Sequence, residues 1–207
     1  MGLDLCLQAI PEKCKILDLV SAGKIKVSLL GFINYHYEHE GHGKGELTLN
    51  SNNEWENNEG KYFIESLYDL EKTSPGVLDR SMYLGRAHPW FCRLLELQAR
   101  TEEEEKIARN SVYGNDLLPA YLGEQEEPKL RWNSAEYSEL ISLWLSERSP
   151  AEIGNQYERA GFGRETVRLT DEEYEQQKKQ VSQLFKEFQD LYKGAVENQE
   201  AIIVKLS

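Results

Sequence analysis

The sequence predicts an α/β fold, with α+β as the alternative, in a single domain over residues 1–207. The chain opens on alternating apolar and polar residues, with Leu3, Leu5 and Leu7 on one side, a pattern typical of a strand. It closes on the β-branched run 201–204, which predicts a second terminal strand. Because a hydrophobic strand needs a pairing partner, we expect both in one mixed sheet, close together and packed by several amphipathic helices.

The first quarter of the chain predicts a strand, a helix and a second strand. Pro11 and Glu12 are typical of a helix start, and apolar residues follow them at helical spacing. Residues 25–32 form an apolar run that predicts the second strand. Residues 34–60 are rich in glycine and asparagine, so we expect a mobile loop there.

The middle of the chain predicts two helices joined by connecting segments. A helix is expected at 61–71, and Ser74-Pro75-Gly76 ends it. A second, strongly apolar helix follows His88, with Pro89 in its first turn and His88 outside it. The polar segment between these helices, 78–88, is interpreted as a connection or the edge of a cleft. Residues 110–133 are also expected to be connecting structure, with 124–129 as a candidate linker.

The last third predicts three helices. The first has one buried stripe, after Ser134. Its members are Tyr137, Leu140, Ile141, Trp144 and Leu145. Ser149-Pro150-Ala151-Glu152 predicts a capping box, with the helix ending near Gly161. Thr170-Asp171-Glu172-Glu173 predicts a second capping box at the start of the longest helix.

The charge balance excludes two classes of partner. The 207 residues include 36 acidic and 24 basic side chains, a formal net charge of −12. A nucleic-acid-binding protein needs clustered Lys and Arg, and so does a protein that docks on an anionic membrane. We therefore expect neither nucleic acid nor membrane as a partner. Many acids fall at 102–105 and 171–175, where helix starts and solvated helix faces account for them.

The cysteines indicate a reducing environment. Cys6, Cys14 and Cys92 are odd in number and include no Cys-x-x-Cys pair, so neither a disulfide framework nor a structural zinc site is expected. No run approaches the ~18 apolar residues of a membrane helix. A cytoplasmic location is the resulting expectation. The sequence leaves the oligomeric state open.

Three segments carry a resemblance to a known family. Met1-Gly2-Leu3 runs directly into a strand and Pro11-Glu12 follows, while Glu197-Asn198-Gln199-Glu200 separates a long helix from 201–206. The run 77–85, Val-Leu-Asp-Arg-Ser-Met-Tyr-Leu-Gly, lies between these ends. Together they resemble the YfbM-like family, domain of unknown function 1877. The resemblance implies an α/β fold and supplies no catalytic residues.

One histidine cluster is a candidate metal site. His36, His39 and His42 fall within seven residues and alternate with carboxylates. Imidazole and carboxylate groups are both suitable ligands for zinc, nickel or copper. A solvated loop is the alternative, because neither a helix nor a strand brings all three rings to one point. His39-Glu40-Gly41-His42 is also one residue short of the zincin spacing. No cofactor is expected apart from a divalent metal here.

Other candidate residues lie on the predicted connections. Tyr83, Arg86 and His88 belong to the segment that could line a cleft. The tryptophans Trp55 and Trp132 stand in polar surroundings and are candidate contact residues for a protein partner. Cys92 follows His88 by four residues, and a nucleophilic Cys–His pair is conceivable. Pro89 argues against that pair, because it places His88 outside the helix.

Two functions of different class follow from these observations. The favoured hypothesis is a non-catalytic domain that binds a protein partner, a basic one, or has a regulatory role. It depends on the acidic charge, the aromatic residues in loops and the lack of a recognisable catalytic set. The alternative is a metal-assisted hydrolase of unrecognised type that uses His36, His39 and His42. The sequence leans away from an enzyme without deciding the question.

Overall fold

A computed structural model describes residues 4–25, 58–118, 130–157 and 170–206. Within these ranges the chain forms five strands and seven helices. The strands are β1 (Leu5–Pro11), β2 (Ser81–Gly85), β3 (Asp116–Leu117), β4 (Arg131–Asn133) and β5 (Glu200–Leu206). The helices are α1 (Lys15–Ser21), α2 (Asn58–Thr73), α3 (His88–Glu96), α4 (Glu102–Tyr113), α5 (Ala135–Ser146), α6 (Pro150–Asn155) and α7 (Asp171–Glu197).

The sheet has the order β2-β1-β5-β4-β3. β1 and β5 are neighbours in seven register pairs that run from Leu5 opposite Leu206 to Pro11 opposite Glu200. The predicted closeness of the two terminal strands is therefore confirmed, as is the mixed composition of helices and sheet. Every pairing among the described strands is antiparallel, so the fold has the α+β form.

β5 is central in the sheet because both of its faces are apolar. Six of its seven residues are buried, in the order Glu-Ala-Ile-Ile-Val-Lys. Ile202 and Val204 point to one core and Ile203 to the other, as the period of two in a strand requires. A strand with apolar residues on both sides is stable only where other elements cover both faces, and the two cores cover β5 in this way.

Two apolar cores lie on opposite faces of the sheet. The larger core is built by α3–α7, and its rings pack edge to face: Phe91 to Phe188 at 5.0 Å and Phe188 to Tyr192 at 5.2 Å between centroids. The smaller core is built by α1, α2 and the turn after α2, with Phe63 and Leu67 fully buried. The sheet is thus covered on both sides.

One expectation for the start of the chain was wrong, and one residue there is buried although it is polar. Pro11 and Glu12 do not open a helix: Pro11 is the last residue of β1, and α1 begins at Lys15. Gln8 alternates with apolar residues yet is buried, because its Nε2 donates hydrogen bonds to the carbonyl oxygens of Val77 at 2.8 Å and Ala9 at 3.0 Å. These bonds offset the cost of burying the Gln8 amide nitrogen, while its Oε1 is buried without a hydrogen-bond partner.

An ion pair between a partly exposed arginine and a buried glutamate fixes the start of β5. Glu200 is fully buried and accepts two hydrogen bonds from Arg80, Nε to Oε2 at 2.7 Å and Nη2 to Oε1 at 2.5 Å. The hydroxyl of Ser74 donates to the same Oε1 at 2.5 Å. Arg80 also donates to the carbonyl oxygen of Pro75. The pair therefore ties β5 to the turn between α2 and β2.

The predicted helix ends were mostly confirmed. α2 ends before Ser74-Pro75-Gly76, and Gly76 has the positive φ of 77° that a glycine adopts without strain. Thr170 and Glu173 form the predicted capping box at the start of α7. The capping box predicted at Ser149 is wrong, because the Ser149 side chain makes no capping hydrogen bond. α6 ends at Asn155, whereas the predicted helix ended near Gly161.

The segments interpreted as connections hold strands. Residues 81–85 form β2 on the edge of the sheet, and 110–133 contain the end of α4, β3 and β4. These strands have two to five residues and little alternation, so their pairing is set by neighbouring strands rather than by local pattern. The predicted strand at 25–32, the loop at 34–60 and the linker at 124–129 fall mainly outside the described residues.

The two helices α6 and α7 approach each other closely at Gly154. A Cβ atom placed on Gly154 would lie 2.2 Å from the Ser182 hydroxyl oxygen and 2.8 Å from the Lys178 carbonyl oxygen. Both distances are shorter than van der Waals contact allows. Glycine is required here by the space between the helices.

Substitution Gly154→Ala is expected to lower the free energy of unfolding by about 2 kcal/mol, since overpacking at a rigid contact costs about 1–3 kcal/mol. Chemical denaturation measures the loss. The double variant Gly154→Ala/Ser182→Ala should recover part of it, because the hydroxyl is removed while the Lys178 carbonyl oxygen stays. Equal stability of Gly154→Ala and the wild type would contradict the close approach.

Substitution Arg80→Met is expected to lower the free energy of unfolding by about 3 kcal/mol, because it leaves the Glu200 carboxylate buried without its cation. The double variant Arg80→Met/Glu200→Leu should be more stable than Arg80→Met alone, since no uncompensated charge is then buried. Denaturant unfolding compares the three proteins. A double variant less stable than Arg80→Met would contradict this account, because the unpaired Glu200 carboxylate would then not be the cause of the loss.

Candidate functional site

Two of the candidate residues from 78–88 lie together at the edge of the sheet. Tyr83 is exposed on β2 and faces Cys6 across the strand pair. Arg86 follows β2, and its Nε lies 3.9 Å from Oδ1 of Asp4. Desolvation, followed by the negative charge of Asp4, raises the pKa of the Tyr83 phenol. Asp4 is thus the common neighbour of Tyr83 and Arg86.

His88 lies apart from these residues. It is the first residue of α3 and is buried, and its Nδ1 shares a hydrogen bond of 3.0 Å with the Tyr113 hydroxyl. The expectation that Pro89 places His88 outside the helix was therefore wrong: Pro89 occupies the first turn with His88 before it in the same helix. The ring of His88 belongs to the packing between α3 and α4, not to a cleft.

The thiol of Cys92 is unsuited to nucleophilic chemistry. Cys92 is buried one turn after His88, and desolvation raises the pKa of its thiol to about 12. Desolvation likewise raises the pKa of Cys14 to about 11. Because the thiolate is the reacting form, both thiols are inert near neutral pH. A Cys92–His88 nucleophile is not supported by this environment.

A row of titratable side chains crosses three strands at one end of the sheet. Tyr83, Cys6 and Lys205 are successive cross-strand partners, so they share one face. Lys205 is buried, and desolvation lowers the pKa of its amine. An amine that is out of contact with solvent cannot reach a substrate, and we assign no chemistry to this row.

The remaining candidates divide between one described residue and four outside the described ranges. Trp132 lies on β4 between Asp116 and Ile203 and is half-buried against the smaller core. Trp55, His36, His39 and His42 lie outside the described residues. Where the chain is described, no three His, Cys, Asp or Glu side chains form a group that could hold a metal ion.

Two exposed leucines of the described chain lie on α5. Leu143 is 62% exposed and Leu140 is 43% exposed, and they are three residues apart on one side of the helix. The adjoining side of α5 is buried in the larger core through Ile141, Trp144 and Leu145. The expectation that Leu140 belongs to the buried stripe was therefore wrong. α5 is apolar on two sides, and only one of them is covered.

The exposed leucines have an acidic border. Glu136 and Glu139 are exposed on α5 itself, and the Glu147 side chain at its end is 57% exposed. We call these five residues the α5 leucine face: Glu136, Glu139, Leu140, Leu143 and Glu147. α5 contains no basic residue, as its sequence AEYSELISLWLS shows.

The nearest cation along the chain is turned into the protein. Arg148 is buried, and its guanidinium stacks on the Trp144 ring with Cζ 3.8 Å from the centroid. Its Nη1 donates to the Trp144 carbonyl oxygen, and its Nη2 donates to Glu104 Oε2 at 2.8 Å. Nη1 of Arg148 also lies 3.5 Å from Oε2 of Glu147, which is a looser ion pair. Arg148 is thus paired mainly with Glu104, and the α5 leucine face keeps its negative charge.

The sequence holds a signal for this face that a single-stripe interpretation misses. Leu140, Ile141, Leu143, Trp144 and Leu145 occupy five of six consecutive positions, which on a helix covers far more than one 100° stripe. An apolar surplus of this kind indicates either a fully buried helix or a second contact surface. Burial in the tertiary structure decides between them.

The comparisons with known proteins add no family. No family model, no curated protein and no solved structure matches this chain. The resemblance to the YfbM-like family stays a prediction. As for membranes, none of the helices in the described ranges is both long enough and apolar enough to cross one.

Substitution Cys92→Ala is expected to make the protein less sensitive to alkaline pH. The neutral thiol fits the core, so its stabilisation is complete below the ordinary thiol pKa of 9.0 and is lost as the pH rises towards about 12. Between pH 8 and pH 10.5 the wild type should lose about 2 kcal/mol more unfolding free energy than Cys92→Ala.

Denaturant unfolding at the two pH values measures this difference. Other groups whose raised pKa does not depend on Cys92, such as Cys14, are present in both proteins and cancel. Equal losses in the wild type and in Cys92→Ala would show that the thiol titrates without cost in the folded state.

Proposed function

We propose that this protein is a non-catalytic domain that binds a protein partner through the α5 leucine face. The exposure of Leu140 and Leu143 on a helix whose other side is already packed carries the proposal. Large apolar side chains that adjoin each other on a surface, with a polar border, are typical of protein–protein contacts. The leucines form the centre of the contact and the glutamates its rim.

Burial of the two leucines supplies part of the binding free energy. Full burial of a leucine side chain is worth about 1.5–3 kcal/mol, and roughly half of each side chain is exposed here. Together they contribute about 2 kcal/mol, which corresponds to a factor of ten to a hundred in affinity. A few such residues at the centre of an interface commonly dominate its energy.

The rigidity of α5 also favours this use. Its N-cap Ser134 accepts a hydrogen bond from the Tyr137 amide, and Gln189 on α7 donates from Nε2 to the Leu145 carbonyl oxygen at 2.7 Å. Both ends of the helix are therefore held by defined contacts. A preorganised face loses little conformational freedom when a partner binds.

A photo-crosslinking amino acid at position 143 is expected to capture a defined partner in the cell of origin, whereas the same group at Leu117 should not. Leu117 is the matched control because it is also an exposed leucine, on β3. The captured protein is then identified by mass spectrometry and purified, and its Kd is measured by calorimetry.

Substitution of both residues, Leu140→Ser/Leu143→Ser, should raise that Kd by ten- to a hundred-fold, with no change in fold because both side chains are exposed. Leu117→Ser should leave the Kd unchanged. The proposal fails if position 143 captures nothing that position 117 does not, or if the double variant binds the partner as tightly as the wild type.

A further inference from the structure

We infer that the segment bound at the α5 leucine face is a basic amphipathic helix of about three turns, an inference that rests on the proposed function. The spacing of the face carries it. Glu136, Leu140, Leu143 and Glu147 are separated by four, three and four residues, which is the spacing of the contact positions between two packed helices.

The four residues form one narrow seam along α5. At 100° per residue they fall within about 60° of one another, and Glu147 keeps a right-handed helical conformation at the C-cap. At about 1.5 Å per residue the seam is about 17 Å long. A helix of 11 or 12 residues matches this length. A bound strand would instead pair its backbone with the edge of a sheet.

The charges along the seam select the composition of the bound helix. The leucines occupy the two central positions and the glutamates the two ends, so a complementary helix has apolar residues in the middle and Lys or Arg four residues before and after them. Glu139 on the flank adds a third negative charge, and α5 offers no cation in return. Like charges across the contact would instead be destabilising.

The order Glu-Leu-Leu-Glu with spacing four-three-four is the same when it is read in reverse. The seam therefore accepts the bound helix in either direction. Direction is set by other contacts, and the test must use a peptide with the same symmetry.

Three hydrocarbon-stapled helical peptides test the inference by fluorescence anisotropy. The first carries Lys-Leu-Leu-Lys at the four-three-four spacing, the second replaces both lysines by glutamate, and the third replaces both leucines by serine. The lysine peptide is expected to bind the wild type at least tenfold more tightly than either of the others. Its Kd should rise several-fold between 50 and 300 mM salt, because exposed ion pairs are screened.

Matched variants of the protein distinguish binding at this seam from nonspecific attraction of the lysine peptide to an acidic surface. Glu136→Gln/Glu147→Gln should weaken the lysine peptide several-fold and flatten its dependence on salt, and Leu140→Ser/Leu143→Ser should weaken it at least tenfold. The control is Glu102→Gln/Glu103→Gln, which removes two exposed acids from α4 and should have no effect.

The inference is overturned if the lysine peptide fails to bind, if the glutamate peptide binds equally well, or if the control variant loses as much affinity as the seam variants. In those cases the proposed function still stands when the partner captured at position 143 depends on Leu140 and Leu143. Capture without preference for position 143 would overturn both.

Discussion

The antiparallel pairing of β1 with β5 is the contact on which the remaining structure depends. Seven register pairs join strands that lie almost 200 residues apart in the sequence. β2 pairs with β1 and β4 pairs with β5, while β3 is added to β4 at the edge. One face of this strand pair belongs to the larger core, against which α3–α7 pack. Its side chains there include Leu5, Leu7, Ile202 and Val204. Closing such a loop has an entropic cost that only the burial of both strand faces offsets.

Two paired arginines show how charge is distributed in this acidic protein. Arg80 neutralises Glu200 at the start of β5, and Arg148 pairs with Glu104 beneath α5. Both cations are therefore used inside the structure, where an unpaired carboxylate would be costly. The exposed acids of α5 keep their charge towards solvent. The negative character of the α5 leucine face thus follows from where the arginines point, as much as from the number of glutamates.

Several elements were predictable because their signals are local. The capping box at Thr170, the stop at Ser74-Pro75-Gly76 and the β-branched run of β5 each depend on residues within one turn or one strand. The environments of Gln8, His88 and Leu140 could not be inferred from the sequence, for a common reason. Each environment is created by a residue distant in sequence: the Val77 carbonyl oxygen, the Tyr113 hydroxyl, and the packing that covers only one side of α5.

The sequence by itself determined the fold class, the identity of the terminal strands and most of the helices, because periodicity and capping are short-range properties of the chain. It also determined that α5 is richer in apolar residues than one buried stripe needs. Only the tertiary structure decided which of those residues stay exposed, since burial depends on how the whole chain packs. The candidate site consists of leucines that the core does not bury, so the exposed face exists only once the core has formed.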